Sequence, residues 1–353
     1  MVTEKGLFMR KIPLGQSTTL MPEITLGSMT WGSQTSEVDA YRQLDFACDR
    51  DVDWVDAAEM YPVNPILAET VGDTEAIIGR WRAKTGGRNM KIATKVSGAG
   101  LKVLRDGAPI SAATIEAAVE ASLRRLQVEC IDLYQFHWPN RGSYHFRQNW
   151  TYTPPTDKAA ILRDMEACLH AVDQLVTAGK IAHFGLSNET AWGLSQWLRL
   201  SDAGAGPRVA AIQNEYSLMA RLFDTDLAEA CALEQVTLLA FSPLATGLLT
   251  GKYQGEAVPE ASRKMLNPTL GGRDQSRAYE AVDGYLAVAA KHGLDPVHMT
   301  VAWLQTRPFP VTALLGATTQ AQLEHGLDAI DLELSADVVA DLDAVHHAHP
   351  MPF

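Results

Sequence analysis

Short apolar runs alternate with stretches of helical hydrophobic periodicity along almost the whole chain. The strand-like runs are Glu23–Met29, Trp54–Ala58, Lys91–Val96, Cys130–His137, Ile181–Ser187, Ala210–Tyr216, Thr237–Pro243 and Val311–Ala317. Between them the apolar positions follow a helical period over about Glu37–Arg50, Asp73–Lys84, Ala112–Leu126, Leu162–Ala178, Thr190–Leu200, Asp224–Glu234 and Arg277–His292. A further helix starts near Gln320, and Leu7–Gln16 reads as an N-terminal hairpin. Many strand runs are apolar throughout, as strands covered on both faces are. Eight such strands with seven or more interleaved helices predict a (β/α)8 barrel, one domain over residues 1–353. An open doubly wound sheet would need a glycine-rich first turn near residue 30. Gly27-Ser28-Met29-Thr30-Trp31-Gly32 lacks that G-x-G-x-x-G spacing.

Local punctuation agrees with these boundaries. Ser111 precedes a helix as a capping hydroxyl would, and Gly179 stands where a left-handed helix stop is expected. Two connections are long, residues 138–161 after the fourth strand and 244–275 after the seventh. Both emerge on the face where the strands end, which in barrels carries the chemistry. The run His346-His347-Ala348-His349-Pro350 reads as a solvated, frayed tail.

Composition narrows the partners. Thirty basic against 42 acidic residues leave a net charge of −12, which repels nucleic acid and anionic membranes. An anionic ligand would therefore need local compensation by Lys, Arg or backbone amides. Cys48, Cys130, Cys168 and Cys231 are widely spaced and read as buried, reduced thiols. No apolar core follows Met1–Lys5 and no 18-residue apolar stretch occurs, so neither a secretory signal nor a membrane span is expected, and the cytoplasm is the expected compartment.

Asp56, Lys95 and His137 each stand at or just beyond the end of a strand run, 39 and 42 residues apart, about one strand-plus-helix unit each time. Parallel neighbouring strands would bring them to one mouth, together with the loop residue Tyr61. Reducing a carbonyl requires a hydride on carbon and a proton on oxygen. A tyrosine, with a pKa of about 10, holds its proton too firmly at neutral pH. An ammonium beside it stabilises the phenolate, a task for Lys95, with Asp56 keeping that lysine charged and oriented. A neutral His137 can donate to the carbonyl oxygen and fix its position. Singly, these residues read equally well as a structural ion pair, a packing tyrosine and a satisfied histidine. Their joint occurrence at successive strand ends favours catalysis. Asp56 and His137 lack further partners for a metal, and none is expected. A lyase or isomerase using Lys95 as a Schiff base is a separate reading.

Asp56…Tyr61, Lys95 and His137 resemble, in order and strand position, the Asp-Tyr-Lys-His tetrad of the aldo-keto reductase superfamily. Further similarity runs through Ile24-Thr25-Leu26-Gly27, Gly185-Leu186-Ser187-Asn188, Ile212-Gln213-Asn214, Phe241-Ser242-Pro243-Leu244 and Leu315-Gly316-Ala317-Thr318-Thr319. Ala58–Val63 and His137-Trp138-Pro139 are most similar to its Tas-like branch. The resemblance implies NADPH-dependent reduction of an aldehyde or ketone to an alcohol, with Tyr61 as the acid. Ser187, Asn188 and Gln213 would then hold the nicotinamide carboxamide and Phe241 would stack on the ring. Ser242, Pro243, Leu244, Thr246 and Lys252 would lie along the pyrophosphate, Arg263 at the adenosine 2′-phosphate, and Thr318 and Gln322 at the adenosine. Thr30, Trp31, Asp56 and Gly316 complete the implied cofactor contacts, and Trp31, Tyr61, His137 and Trp138 the substrate pocket. Many members carry Arg where this chain has Gln322, Asn where it has Gly326, and in some branches a basic residue at Gly316. Lys252 and Arg263 would then carry more of the preference for NADPH over NADH. Because β subunits of some potassium channels share this pattern, an NADP(H)-binding regulatory protein with little turnover is the alternative.

Overall fold

Eight parallel strands close into a barrel in the computed structural model, which describes residues 9–353. A two-stranded antiparallel hairpin, β1 (Lys11–Pro13) and β2 (Leu20–Pro22), precedes it. The barrel strands are β3 (Ile24–Gly27), β4 (Trp54–Asp56), β5 (Lys91–Val96), β6 (Ile131–Phe136), β7 (Ile181–Ser187), β8 (Val209–Glu215), β9 (Thr237–Phe241) and β10 (Val311–Gly316), and β10 closes on β3. Around them run α1 (Glu37–Asp49), α2 (Asp73–Thr85), α3 (Ala112–Leu126), α4 (Lys158–Thr177), α5 (Ala191–Asp202), α6 (Asp226–Glu234), the short α7 (Arg263–Leu266), α8 (Ser276–His292), α9 (Pro296–Leu304), α10 (Gln320–Leu327) and α11 (Ala336–Ala348). This is the predicted (β/α)8 barrel with its hairpin.

The period of two along each strand sets the interior. Trp54, Ala93, Leu133, Ala211, Leu239 and Leu314 pack together inside the barrel, with Leu14 and Met21 of the hairpin segment added to them. The Trp54 indole N–H donates to Leu20 O at 3.0 Å, tying the hairpin to the barrel floor. Two residues further along the same strand faces stand Asp56, Lys95, Gln135, Gln213, Phe241 and Gly316. The interior thus changes from apolar to polar toward the strand ends. That gradient creates the site.

Several boundaries match the sequence reading. Ser111 accepts from Thr114 N–H in a reciprocal cap, and Gly179 has φ 72°. Other expectations are corrected. The hairpin strands lie at 11–13 and 20–22 rather than within Leu7–Gln16, whose Leu7 and Phe8 fall outside the described residues. Helix α9, all but continuously apolar, escapes a periodicity search because it is buried almost all round. The histidine run closes α11, whose Val338 and Leu342 are buried, and is therefore not a frayed tail. Of the cysteines only Cys168 and Cys231 are buried; Cys130 is exposed and Cys48 half-buried. No helix among the described residues is long and apolar enough to cross a membrane.

A second polar cluster, Asp295, His298 and His325, joins α9 to α10. Asp295 Oδ1 accepts from the Val297 and His298 amides at 2.8 and 3.1 Å, and His325 Nε2 lies 3.3 Å from it. His298 Nε2 donates to His325 O at 2.7 Å. Its polar atoms are thus engaged in capping one helix and fastening the next.

Candidate active site

The four predicted residues converge where the polar layer opens. Asp56 ends β4, Lys95 lies in β5, His137 follows β6, and Tyr61 sits on the loop after β4. Lys95 Nζ donates to Asp56 Oδ2 and to Ala57 O, each at 2.7 Å, and reaches Tyr61 Oη at 3.4 Å. The Tyr61 and His137 rings meet edge-on with centroids 5.8 Å apart. All four are buried, with Tyr61 and His137 retaining a sliver of exposure.

Burial shapes their titration. It pushes His137 well below the ordinary imidazole value, and the nearby Lys95 charge pushes the same way, so the ring is neutral. Burial opposes the Lys95 charge, yet Asp56, and then Tyr61, outweigh it and hold the ammonium above its usual range. For Tyr61 burial is the larger influence and raises the phenol, while Lys95 pulls it down less strongly. The expected net lowering of the Tyr61 pKa is therefore not what this structure holds. Tyr61 carries its proton securely, and the adjacent ammonium offsets charge only once that proton moves.

Several of the implied cofactor residues stand at or just beyond the ends of the neighbouring strands. Ser187 Oγ donates to Gln213 O at 2.8 Å, and Asn188 Nδ2 donates to His137 O at 2.9 Å, joining the ends of β6, β7 and β8. Asn188 Oδ1 is buried without a partner, an acceptor suited to a carboxamide N–H. Phe241, half-buried, ends β9. Ser242, Ala245, Thr246 and Gly247 all have positive φ (54°, 48°, 58° and 96°), so the chain after β9 turns tightly, with Ala245 and Gly247 N–H donating to Ser242 O and Leu244 O inside the turn. Pro243 and Leu244 lie within that turn. Among the described residues no carboxylate pairs with Lys252 or Arg263. Burial lowers both, and Arg263 further lowers Lys252, so a bound phosphate would relieve their repulsion. On these grounds the mouth fits a dinucleotide.

Not every implied residue is free for that role. The Trp31 side chain is buried in the main core with its indole N–H on Gln43 Oε1 at 3.2 Å, so it supports the wall and does not line the pocket as expected. Thr30 Oγ1 pairs with Thr35 Oγ1 at 3.0 Å. Thr318 donates its amide and hydroxyl to Gln322 Oε1 at 3.1 and 3.0 Å. Gly316 stands beside Gly27, where an added Cβ on Gly27 would approach Gly316 Cα to 3.3 Å.

The pocket wall holds residues the sequence reading missed. Ala58, Met60 and Tyr61 pack against Met29, Val63, Ile66, Leu101, Leu104 and Trp138. Trp138 donates its indole N–H to Ala99 O at 3.1 Å and meets Phe146 edge-on. Phe146 and Trp150 are otherwise exposed. Glu59 holds this wall in place: it accepts from Ser97 N–H at 2.6 Å and from Arg105 by two bonds of 2.7 Å. A glutamate inside an apolar strand-end run was the available signal for it.

A protein-family model described as the aldo/keto reductase family matches residues 23–347. The chain belongs to this family. Protein tas of Escherichia coli is 42% identical over 334 residues, covering 93% of this chain and 94% of that protein. The uncharacterized oxidoreductase YrpG of Bacillus subtilis is 26% identical over 338 residues, covering 94% of each chain. A Babesia bovis protein named aldo-keto reductase is 34% identical over 252 residues, 67% of this chain and 87% of its own. These similarities support placement in the Tas-like branch.

Proposed function

We propose that this protein is an NADPH-dependent reductase of aldehydes and ketones, a single unit over 1–353 with oxidoreduction as its general activity. The observation that carries this reading is the buried chain Asp56–Lys95–Tyr61 facing a neutral His137. Asn188, Ser187, Gln213 and Phe241 would hold the nicotinamide, the 242–247 turn and Lys252 the pyrophosphate, and Arg263 the 2′-phosphate. Arg suits that last role because its planar fork binds two phosphate oxygens at once. When bound, NADPH supplies the hydride received by the carbonyl carbon.

The chain's own residues do the rest. His137, neutral, donates to the carbonyl oxygen and holds it near Tyr61 Oη. Tyr61 Oη gives its proton to that oxygen as charge develops there. Lys95 Nζ stabilises the phenolate left behind, and Asp56 keeps Lys95 protonated throughout. The wall of Met29, Val63, Ile66, Leu101, Leu104 and Trp138 excludes water and favours small neutral aromatic or aliphatic carbonyl compounds.

The test is NADPH consumption with a panel of aldehydes and ketones, paired with NADPH binding by fluorescence. Carbonyl-dependent oxidation supports the reductase. Tight NADPH binding with no oxidation across the panel would replace it with a regulatory, cofactor-sensing protein.

A further inference from the structure

Asp56 spends only one of its oxygens on Lys95. Its Oδ1 accepts from Gln213 Nε2 at 2.8 Å and, more distantly, from Gln135 Nε2 at 3.4 Å. Gln213 Nε2 also reaches Gln135 Oε1 at 3.3 Å. Both donors of the Gln213 amide are thus used within this triangle. Gln135 is completely buried and Gln213 nearly so.

The barrel is built to admit Gln135. Its strand, β6, is separated from β8 by β7, and the residue paired with Gln135 on β7 is Gly185. A Cβ on Gly185 would lie 3.1 Å from the Gln135 Cγ and 3.2 Å from Leu133 Cδ1. Directly below, the inward positions are apolar: Leu133 and Ala211. An apolar residue at 135 would continue that packing without burying an amide, and a buried amide is costly unless something needs its hydrogen bonds. Asp56 is the only charged group that the Gln135 side chain touches among the described residues. The charged and titratable groups that act on Asp56 are Lys95 from β5 and Tyr61 from the loop after β4. From β6 and β8 it meets only neutral amides.

We infer that Gln135, acting together with Gln213, is a positioning residue of the proton-donating chain, holding the Asp56 carboxylate turned so that its other oxygen faces Lys95. A buried ion pair is secure only when its remaining lone pairs are also met, and the two amides meet them. Gln213 thereby links two parts of the site, since its backbone carbonyl also orders Ser187 and Asn188. This inference rests on the reductase reading for its kinetic consequence but not for its geometry.

Two substitutions test it: Gln135→Met, which keeps length and removes the amide, and Gln135→Glu, which keeps shape and adds a carboxylate. In Gln135→Met, kcat for carbonyl reduction is expected to fall about tenfold with little change in the KM of the carbonyl compound. The acid limb of its pH profile should move upward, because a carboxylate that loses a donor takes up a proton more readily. Gln135→Glu should move that limb further, since two adjacent carboxylates resist joint ionisation. Crystals of Gln135→Met should show the Asp56 carboxylate rotated away from Lys95 Nζ. Wild-type pH profiles in both variants, with Asp56 unmoved, would overturn the inference. If the wild type reduces no carbonyl compound, the reductase reading fails, and the orientation of Asp56 in the variant crystals still decides the positioning role.

Discussion

His137 shows how burial assigns a chemical role to one residue. Its pKa is depressed by burial and by Lys95, so it stays neutral as pH falls through the ordinary imidazole value of about 6.5. Carbonyl reduction should therefore show no rate change centred there. A step near pH 6.5 that vanishes in His137→Gln would contradict this. The linked effect on stability has a definite sign. Below about pH 6.5 the unfolded chain binds a proton at His137 that the folded chain refuses, so stability declines as pH falls from that point. Urea midpoints measured against pH should decline less steeply in His137→Gln. At Tyr61 the balance differs, because burial exceeds the pull of Lys95 and keeps the proton in place. Sequence reasoning identified both residues but could not weigh burial against charge, since burial depends on the Met29–Trp138 wall assembled from four separate segments.

At the level of elements, the hairpin acts as a floor. Met21 and Leu14 pack against Trp54, Ala93 and Leu133 beneath the polar layer. Met21→Ala should cost about 2–5 kcal/mol, read as a lower urea midpoint, with the KM for NADPH unchanged. Unaltered stability would show that this floor is not part of the packed core. The strands were legible because they are short, largely apolar runs set between helical patterns, and Lys91–Val96 and Ile181–Ser187 coincide with β5 and β7. The hairpin was foreseen but its strand bounds were not, because its two strands pair only with each other and lie outside the strand–helix alternation. Helix α9 is buried almost all round and lacks the amphipathic contrast that marks α3. The tetrad was legible because Asp56, Lys95 and His137 stand at or beside the ends of three successive strands, with Tyr61 on the loop after the first of them. Gln135 was not singled out, although its place two residues before His137 puts it on the same strand face. Nothing in a linear reading says that Gly185 opens the space it occupies.

Across the whole molecule, an acidic chain surrounds a cationic mouth. Against a net charge of −12, Lys252 and Arg263 have no acidic partner among the described residues and stand near the positive-φ turn. Arg263→Ala should weaken NADPH binding about tenfold or more while changing NADH binding little; an unchanged dissociation constant for NADPH would remove Arg263 from the 2′-phosphate role. A separate charged tie joins the long loops. Glu215 at the end of β8 accepts Arg147 and Arg273, each at 2.6 Å, and the Phe353 ring lies under both guanidinium groups. Burial opposes the Glu215 charge, but Arg273 and then Arg147 prevail and hold its pKa below the usual value. Glu215→Ala would leave two guanidinium groups unpaired and should cost about 3 kcal/mol or more on thermal or urea unfolding; no loss would show that the tie contributes nothing. The later loop also touches the loop that carries Tyr61, where Asn267 donates to Asn64 at 3.4 Å. The most direct measurement is a single turnover of NADPH-loaded protein mixed with an aldehyde, comparing wild type with Tyr61→Phe. Oxidation that slows by about 10²–10⁴ in Tyr61→Phe, with NADPH affinity intact, is the predicted result. Equal rates in the two proteins would contradict the assignment of Tyr61 as the proton donor.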